Sequence, residues 1–286
     1  MKQKTFISRA EHGSVDCAKK RLTFSRSQLC IPYALFLALF IVLPLVLIVF
    51  YAFTSKTGTF TVSNFTDFFT NKTSLSTLFV SFLISGVTTI ICLLIGYPIA
   101  YVLSKINSSK RTILLLLFIM PMWINFVLRA MAMKELMTLT GIFAKSDFYN
   151  FVNTIIGMVY DYLPFMILPL YSTLIKQDQS LLEASFDLGA SKRQTFLKIT
   201  LPLSLPGILS GITMVFLPSL SAYVISDTFG NGKISIIGKL IEEQFGTGAN
   251  WNAGSAIAIV MLIIMFVTML LSGEFKSDKA ERRNVI

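Results

Sequence analysis

Six runs of this chain carry almost no charge, and each is long enough to cross a bilayer. A helix in hydrocarbon needs about 20 mostly apolar residues, and it must satisfy its own backbone because no water is there to do so. Ile31 to Phe53 is uncharged, and no charge falls between Lys72 and Lys105, which leaves room for one long helix from Leu75 to Leu103. Thr112 to Leu128 is uncharged and runs on through Arg129 to Met133. Phe148 to Ile175 is apolar except for Asp161, and Ile199 to Ser226 and Trp251 to Gly273 carry no charge. The connections are too short for a second domain. These runs predict an all-α integral membrane protein of six transmembrane helices spanning residues 31–274, with a basic tail at 1–30 and a short tail at 275–286.

Composition closes off the alternatives. Charged residues make up 14% of the chain and apolar ones 54%. A soluble domain carries about a quarter charged residues. That excludes a soluble enzyme, a disordered chain and a nucleic-acid binder. The net charge of +10 then reads as orientation. With the N-terminus inside, eighteen of the 25 Lys and Arg fall in the two tails and the two inner loops. Six fall outside, and Arg129 sits in the third run. The positive-inside rule therefore predicts an N-in, C-in topology, with zero net charge on the outer loops. The first run has 23 apolar residues and no small-residue cleavage site after it, so it is expected to remain as a span. The tail before it is expected to orient the chain and to attract anionic lipid.

Several chemistries lack their residues. Cys17, Cys30 and Cys92 form no disulfide framework, and His12 is the single histidine, so neither a histidine metal site nor a Ser-His-Asp triad is available. Gly230-Asn231-Gly232-Lys233 and Gly238-Lys239 lack the spacing of a phosphate loop and the following Ser or Thr. No cofactor is expected on this chain, and energy for transport would come from a partner.

The most informative segment is the loop 176–202 between the fourth and fifth runs. Asp178 or Ser180 can cap a short helix there, and Gly189 can end it in a left-handed conformation. Ser191 can cap a second helix, and Pro202 stands where the chain re-enters the membrane. Leu182, Phe186 and Leu188 suggest an apolar docking patch, with Lys192, Arg193 and Lys198 as a basic rim.

The order Glu183-Ala184-Ser185, then Gly189, then Ile199-Thr200-Leu201-Pro202 resembles the EAA loop of binding-protein-dependent ABC importer permeases. Ser185 stands where that family usually has Ala, a change between small residues. The resemblance implies a type I importer permease fold in a bacterial cell membrane. It implies that Glu183, Ala184, Gly189, Arg193, Ile199, Leu201 and Pro202 couple to two copies of an ATPase subunit that uses ATP. It also implies a second, similar permease and an extracytoplasmic substrate-binding protein as partners. The chain itself would make no bonds. More diffuse likeness, in Leu163-Pro164-Phe165-Met166, Pro206-Gly207-Ile208 and Ser226-Asp227, points to the polyamine branch, with spermidine or putrescine as cargo. The alternatives are the same machine with thiamine, iron, a sugar or an oxyanion, or a secondary carrier. No internal repeat of the kind carriers commonly show is visible.

A polycation needs carboxylates and aromatic faces that hold it without trapping it. Asp227 lies one turn beyond Tyr223, so both can share a face. Asp161 is an ionisable group inside a span, and such groups are functional candidates. Trp123 and Asn125 follow Pro121, where a kink can free backbone carbonyls. Each has a plainer alternative. Asp161 can simply pair with Arg129, Tyr223 and Trp123 can be interfacial residues, and Glu242 and Glu243 can form a solvated face.

Overall fold

The computed structural model describes residues 26–141, 147–248 and 250–271. The expected tails at 1–30 and 275–286 lie outside these residues, except that 26 to 30 are helical. Nothing between Arg26 and Ile31 breaks a helix, so the first helix begins before its apolar run does.

Two units divide the chain after Val46. The first is described from Arg26 and is helical, with a π turn over Ala38–Val42. The first membrane-length helix, α1 (Pro32–Ala52), starts in this unit and ends beyond it. The second unit begins at Leu47. It holds α2 (Ser63–Thr70), α3 (Lys72–Lys105), α4 (Ser108–Ile119), α5 (Phe126–Leu139) and α6 (Asp147–Ile175). Then come α7 (Gln179–Asp187), α8 (Lys192–Leu203), α9 (Leu205–Ser221), α10 (Tyr223–Phe229), α11 (Ile237–Phe245) and α12 (Trp251–Leu271).

Four helices are long and apolar enough to cross a membrane as single pieces: α1, α3, α6 and α12. The third and fifth runs cross only as bent pairs, which makes six spans when each pair counts as one. In the third run, Lys110–Trp123 and Phe126–Leu139 meet at 99°. The expected continuous helix from Thr112 to Met133 is therefore replaced by a broken one. Pro121 has no N–H to continue the ladder, the turn Met120–Trp123 tightens to 3₁₀, and Ile124 is extended. Asn125 then caps the restart by accepting a 2.9 Å hydrogen bond from the Val127 amide.

In the fifth run, Lys192–Leu203 meets Leu205–Ser221 at 60°. Pro206 sits in the first turn of α9, where its missing donor costs nothing. This run also stops at Ser221, so Tyr223 and Asp227 belong to a separate short helix, α10.

The core is the packing of α3, α6 and α9 against one another. Between membrane helices hydrophobicity gives little drive, so close approach of small residues matters most. Along α3, Ser81, Ser85, Thr88, Cys92 and Ala100 are fully buried. The hydroxyls of Ser81 and Thr89 donate to the carbonyls of Thr77 and Ser85, both at 2.7 Å, so neither is unpaired in an apolar setting. Gly207 and Gly211, one turn apart on α9, let α6 approach. A Cβ at Gly207 would stand 2.6 Å from Thr173 Oγ1 and 2.9 Å from the Pro169 carbonyl oxygen.

Candidate functional site

Local chemistry builds the segment between α6 and α9. Asp178 caps α7, accepting from the Ser180 amide at 2.9 Å. That backbone hydrogen bond, with the Ser180 side chain second, holds its carboxyl below the ordinary value. At the other end, Gly189 has φ +78° and nothing within 4 Å of where a Cβ would sit. Conformation, not crowding within this chain, is what demands glycine there. The Gly189 amide donates to Phe186 O at 2.9 Å and the Ala190 amide to Ser185 O at 3.0 Å, the two bonds of a Schellman stop. Ser191 then opens α8 with a capping box. Its amide donates to Gln194 Oε1 at 2.8 Å, and its Oγ accepts from the Gln194 amide.

A buried hydroxyl pair ties the two helices together. Ser185 Oγ lies 2.8 Å from Thr195 Oγ1 and donates to Leu182 O at 2.7 Å. The position where Ser replaces the usual small apolar residue is thus a structural link, which the motif alone did not reveal. Leu182, expected in the docking patch, is buried at 8% exposure. The turn of α7 that points Ser185 inward points Leu182 inward with it. Leu181 takes its place on the surface beside Phe186 and Leu188, the last 89% exposed. Glu183, Ala184, Lys192, Arg193, Lys198 and Pro202 are exposed, and Ile199 and Leu201 are half-buried. A groove of about 540 Å³ runs among Leu181, Ala184, Leu188, Gly189, Lys198 and Ile199.

The expected path residues fall into two groups. In the first, Trp123, Asn125 and Asp161 line one cavity of about 440 Å³ together with Arg129, Phe126 and Phe165. Arg129 and Asp161 form a buried ion pair, 7% and 2% exposed. Arg129 Nε and Nη2 both lie 2.5 Å from Asp161 Oδ1. Nη1 reaches back 3.0 Å to the Pro121 carbonyl at the helix break, which also accepts from the Ile124 amide at 3.2 Å. The helix break therefore supplies the acceptor expected of it, but for a side chain of the same chain.

The second group surrounds Lys239. Its Nζ lies 2.9 Å from Asp227 Oδ2, 3.5 Å from Glu242 Oε2, and 6.0 Å from the centre of the Tyr223 ring. Asp227 and Tyr223 do share one face of α10, as their spacing predicts. Nothing in the sequence spacing marks Lys239 on α11 as their shared partner. The hydrogen bond to Asp227 is the main reason that Lys239 holds its proton above the ordinary lysine value. Ile225, between them on α10, lines the Asp161 cavity, so this one short helix touches both groups. Among the described residues no cluster of His, Cys, Asp and Glu could hold a metal ion.

Comparison with known proteins places this architecture. The spermidine/putrescine transport system permease protein PotB of Haemophilus influenzae is 36% identical over 267 residues, covering 87% of this chain and 92% of that protein. Its Escherichia coli K12 counterpart is 35% identical over 253 residues, 82% of this chain and 92% of the other. Among solved structures, a bacterial ABC transporter involved in the import of the acidic polysaccharide alginate shares the fold. Its TM-score is 0.71 at 16% identity, over 88% of this chain and 94% of that one. Residues 92–275, which hold the α7–α8 segment and both groups of expected path residues, match one family model. The chain belongs to the family of binding-protein-dependent transport system inner membrane components.

Proposed function

We propose that this chain is one of two permease subunits of an ATP-driven polyamine importer, with spermidine or putrescine as cargo. The observation that carries the machine is the α7–α8 segment. It is rigidly capped at both ends, stapled by Ser185 and Thr195, and yet presents Leu181, Phe186 and Leu188 to solvent. A stiff loop with an uncovered apolar face transmits a partner's movement as a rigid body. The identity to permeases named for spermidine and putrescine carries the cargo.

In this reading the α7–α8 segment and both chain ends face the cytoplasm. Glu183, Ala184, Gly189, Arg193, Ile199, Leu201 and Pro202 meet the ATPase subunit, one copy under each permease. ATP binds there and not on this chain. A binding protein delivers cargo from the far side. The path runs past Tyr223 and Asp227 to Trp123, Asn125 and Asp161. Purifying the intact complex and measuring ATP hydrolysis against a panel of polyamines and other cations tests the whole reading. Spermidine or putrescine should stimulate, and stimulation only by a sugar or an oxyanion overturns the cargo. Gly189→Asp, which puts a side chain and a charge where φ is +78°, should abolish co-purification of the ATPase and spare membrane insertion. Normal co-purification would count against the coupling role.

A further inference from the structure

We propose that the cavity between the broken third span and α6 is a binding site for a primary ammonium group, with Asp161 Oδ2 as its acceptor. The proposal rests on the polyamine reading above and assigns it a particular atom. The carboxylate of Asp161 is used on one side only. Oδ1 takes both Nε and Nη2 of Arg129. Oδ2 is buried and, among the described residues, has no hydrogen-bond partner. A buried acceptor without a donor is expensive, and native proteins seldom retain one without a use.

The same cavity offers an anion little. Four of the five N–H groups of Arg129 already donate, to Asp161 Oδ1, the Asp161 carbonyl and the Pro121 carbonyl, and the Asp161 carboxylate beside them offsets the positive charge. The missing partner is thus a donor. The walls favour a charged one: Trp123, Phe126, Tyr162 and Phe165 put four aromatic rings around a volume of about 440 Å³. Ring faces attract cations, and that attraction grows as water is excluded. A primary ammonium offers three N–H donors, one for Oδ2 and others free for water or carbonyls. Oδ2 has less than 1 Å² of accessible surface, so a ligand reaches it once the lining side chains part. The site would be occluded at rest, and Arg129 would keep it from holding a cation too tightly.

The two halves of the site make separable demands. Asp161 needs an N–H donor, whereas the rings need only positive charge. The test uses the intact permease–ATPase complex in lipid nanodiscs without binding protein. Thermal stabilisation is titrated with putrescine and with its bis-trimethylammonium analogue, which has the charges but no N–H. In the wild type putrescine should bind the tighter. Asp161→Asn should cut that preference about tenfold, as expected for loss of a charge-assisted hydrogen bond. Trp123→Leu should weaken both ligands alike, by about threefold, through loss of a cation–π face.

Equal titrations in the wild type and either variant overturn the ammonium site. If Asp161→Asn does not assemble, Trp123→Leu decides, because Trp123 is 77% exposed and its removal leaves the ion pair intact. Uptake of putrescine by the wild-type complex with its binding protein is measured alongside. No uptake refutes the cargo reading, and uptake with unaltered titrations refutes the ammonium site alone.

Discussion

The link between Ser185 and Thr195 gives a quantitative test of what makes the α7–α8 segment stiff. Both side chains are buried, at 6% and 5% exposure, and Ser185 also donates to Leu182 O. The hydrogen-bond order is therefore Thr195 hydroxyl to Ser185 Oγ to the Leu182 carbonyl. Ser185→Ala removes the middle member and leaves the Thr195 hydroxyl without that acceptor. An orphaned buried polar group costs about 1–3 kcal/mol, whereas a satisfied neutral hydrogen bond contributes only about 1 kcal/mol. The single variant should thus cost more than the bond it deletes. Thr195→Val added to Ser185→Ala removes the orphan and should recover part of the loss, for a coupling energy of about 1–2 kcal/mol. The assay is hydrogen exchange of amides 179–200 in the purified complex, where local opening reports this segment and not global unfolding. Exchange should quicken about 5- to 100-fold in Ser185→Ala and slow again in the double variant. A double variant that exchanges faster than both singles would refute the hydroxyl-staple explanation.

Three further outcomes follow from the packing and charge pairs. Gly207→Ala would drive a methyl to within 2.9 Å of the Pro169 carbonyl, backbone that cannot swing aside, so α6 and α9 must part. Thermal unfolding should show a loss of about 1–3 kcal/mol. Ser81→Ala would strip the buried Ile237 amide of its 2.7 Å acceptor, loosening the start of α11 by about 1–3 kcal/mol, readable as faster exchange at 237–240. Lys239→Met should free the Asp227 carboxylate and lower the polyamine KM about two- to fivefold, since an exposed pair contributes at most about 1 kcal/mol. The Lys239 amine titrates higher when folded, chiefly through its hydrogen bond to Asp227. Its contribution should therefore be full below the ordinary value of 10.5 and fall only as pH rises through the raised one. Wild-type exchange protection of α10 that decays already between pH 7 and 9 would contradict this pairing.

Much of the fold is legible because its signals are local. Asp178, Gly189 and Ser191 each act on amides within a few residues, so spacing alone marks Asp178 or Ser180 as a cap, Gly189 as a stop and Ser191 as a second cap, and the structure selects Asp178 and adds Gln194 to Ser191 as a capping box. The six apolar runs are equally local, since hydropathy needs no partner. Direction is not local. Pro121 announces a kink, but a count of apolar residues is the same for a straight helix as for one turned through 99°. By its position after Pro121, Asn125 reads as a path residue. It lines the cavity and also caps α5, and only the bend shows that it does both. Leu182 and Leu181 differ by one residue and about 100° of helix rotation, and only packing decides which of them is buried. The glycines at 207 and 211 stand in a small-xxx-small register, a local signal of close helix packing that does not say which helix is the partner.

Pairing shows most clearly what a charge inventory hides. Summed by loop, the outer charges cancel, which reads as an electrically neutral face open to a cation. In the structure, both carboxylates expected on the path already hold a cation from this chain: Arg129 on Asp161, and Lys239 on Asp227. The two pairs are built differently. Arg129 is buried, held by three acceptors, and anchored to the backbone of the helix break, so removing it would leave a desolvated carboxylate at a cost of several kcal/mol. Lys239 is a single ammonium on a flexible stem at a half-exposed site, shared between Asp227 and Glu242 over a tyrosine ring. A primary ammonium could make the same contacts that Lys239 makes, so exchange there would cost little in either direction. On the proposed reading, a cation that binds by exchange at Asp227 and by addition at Asp161 Oδ2 would be held at each step without being trapped, as conduction through any path requires.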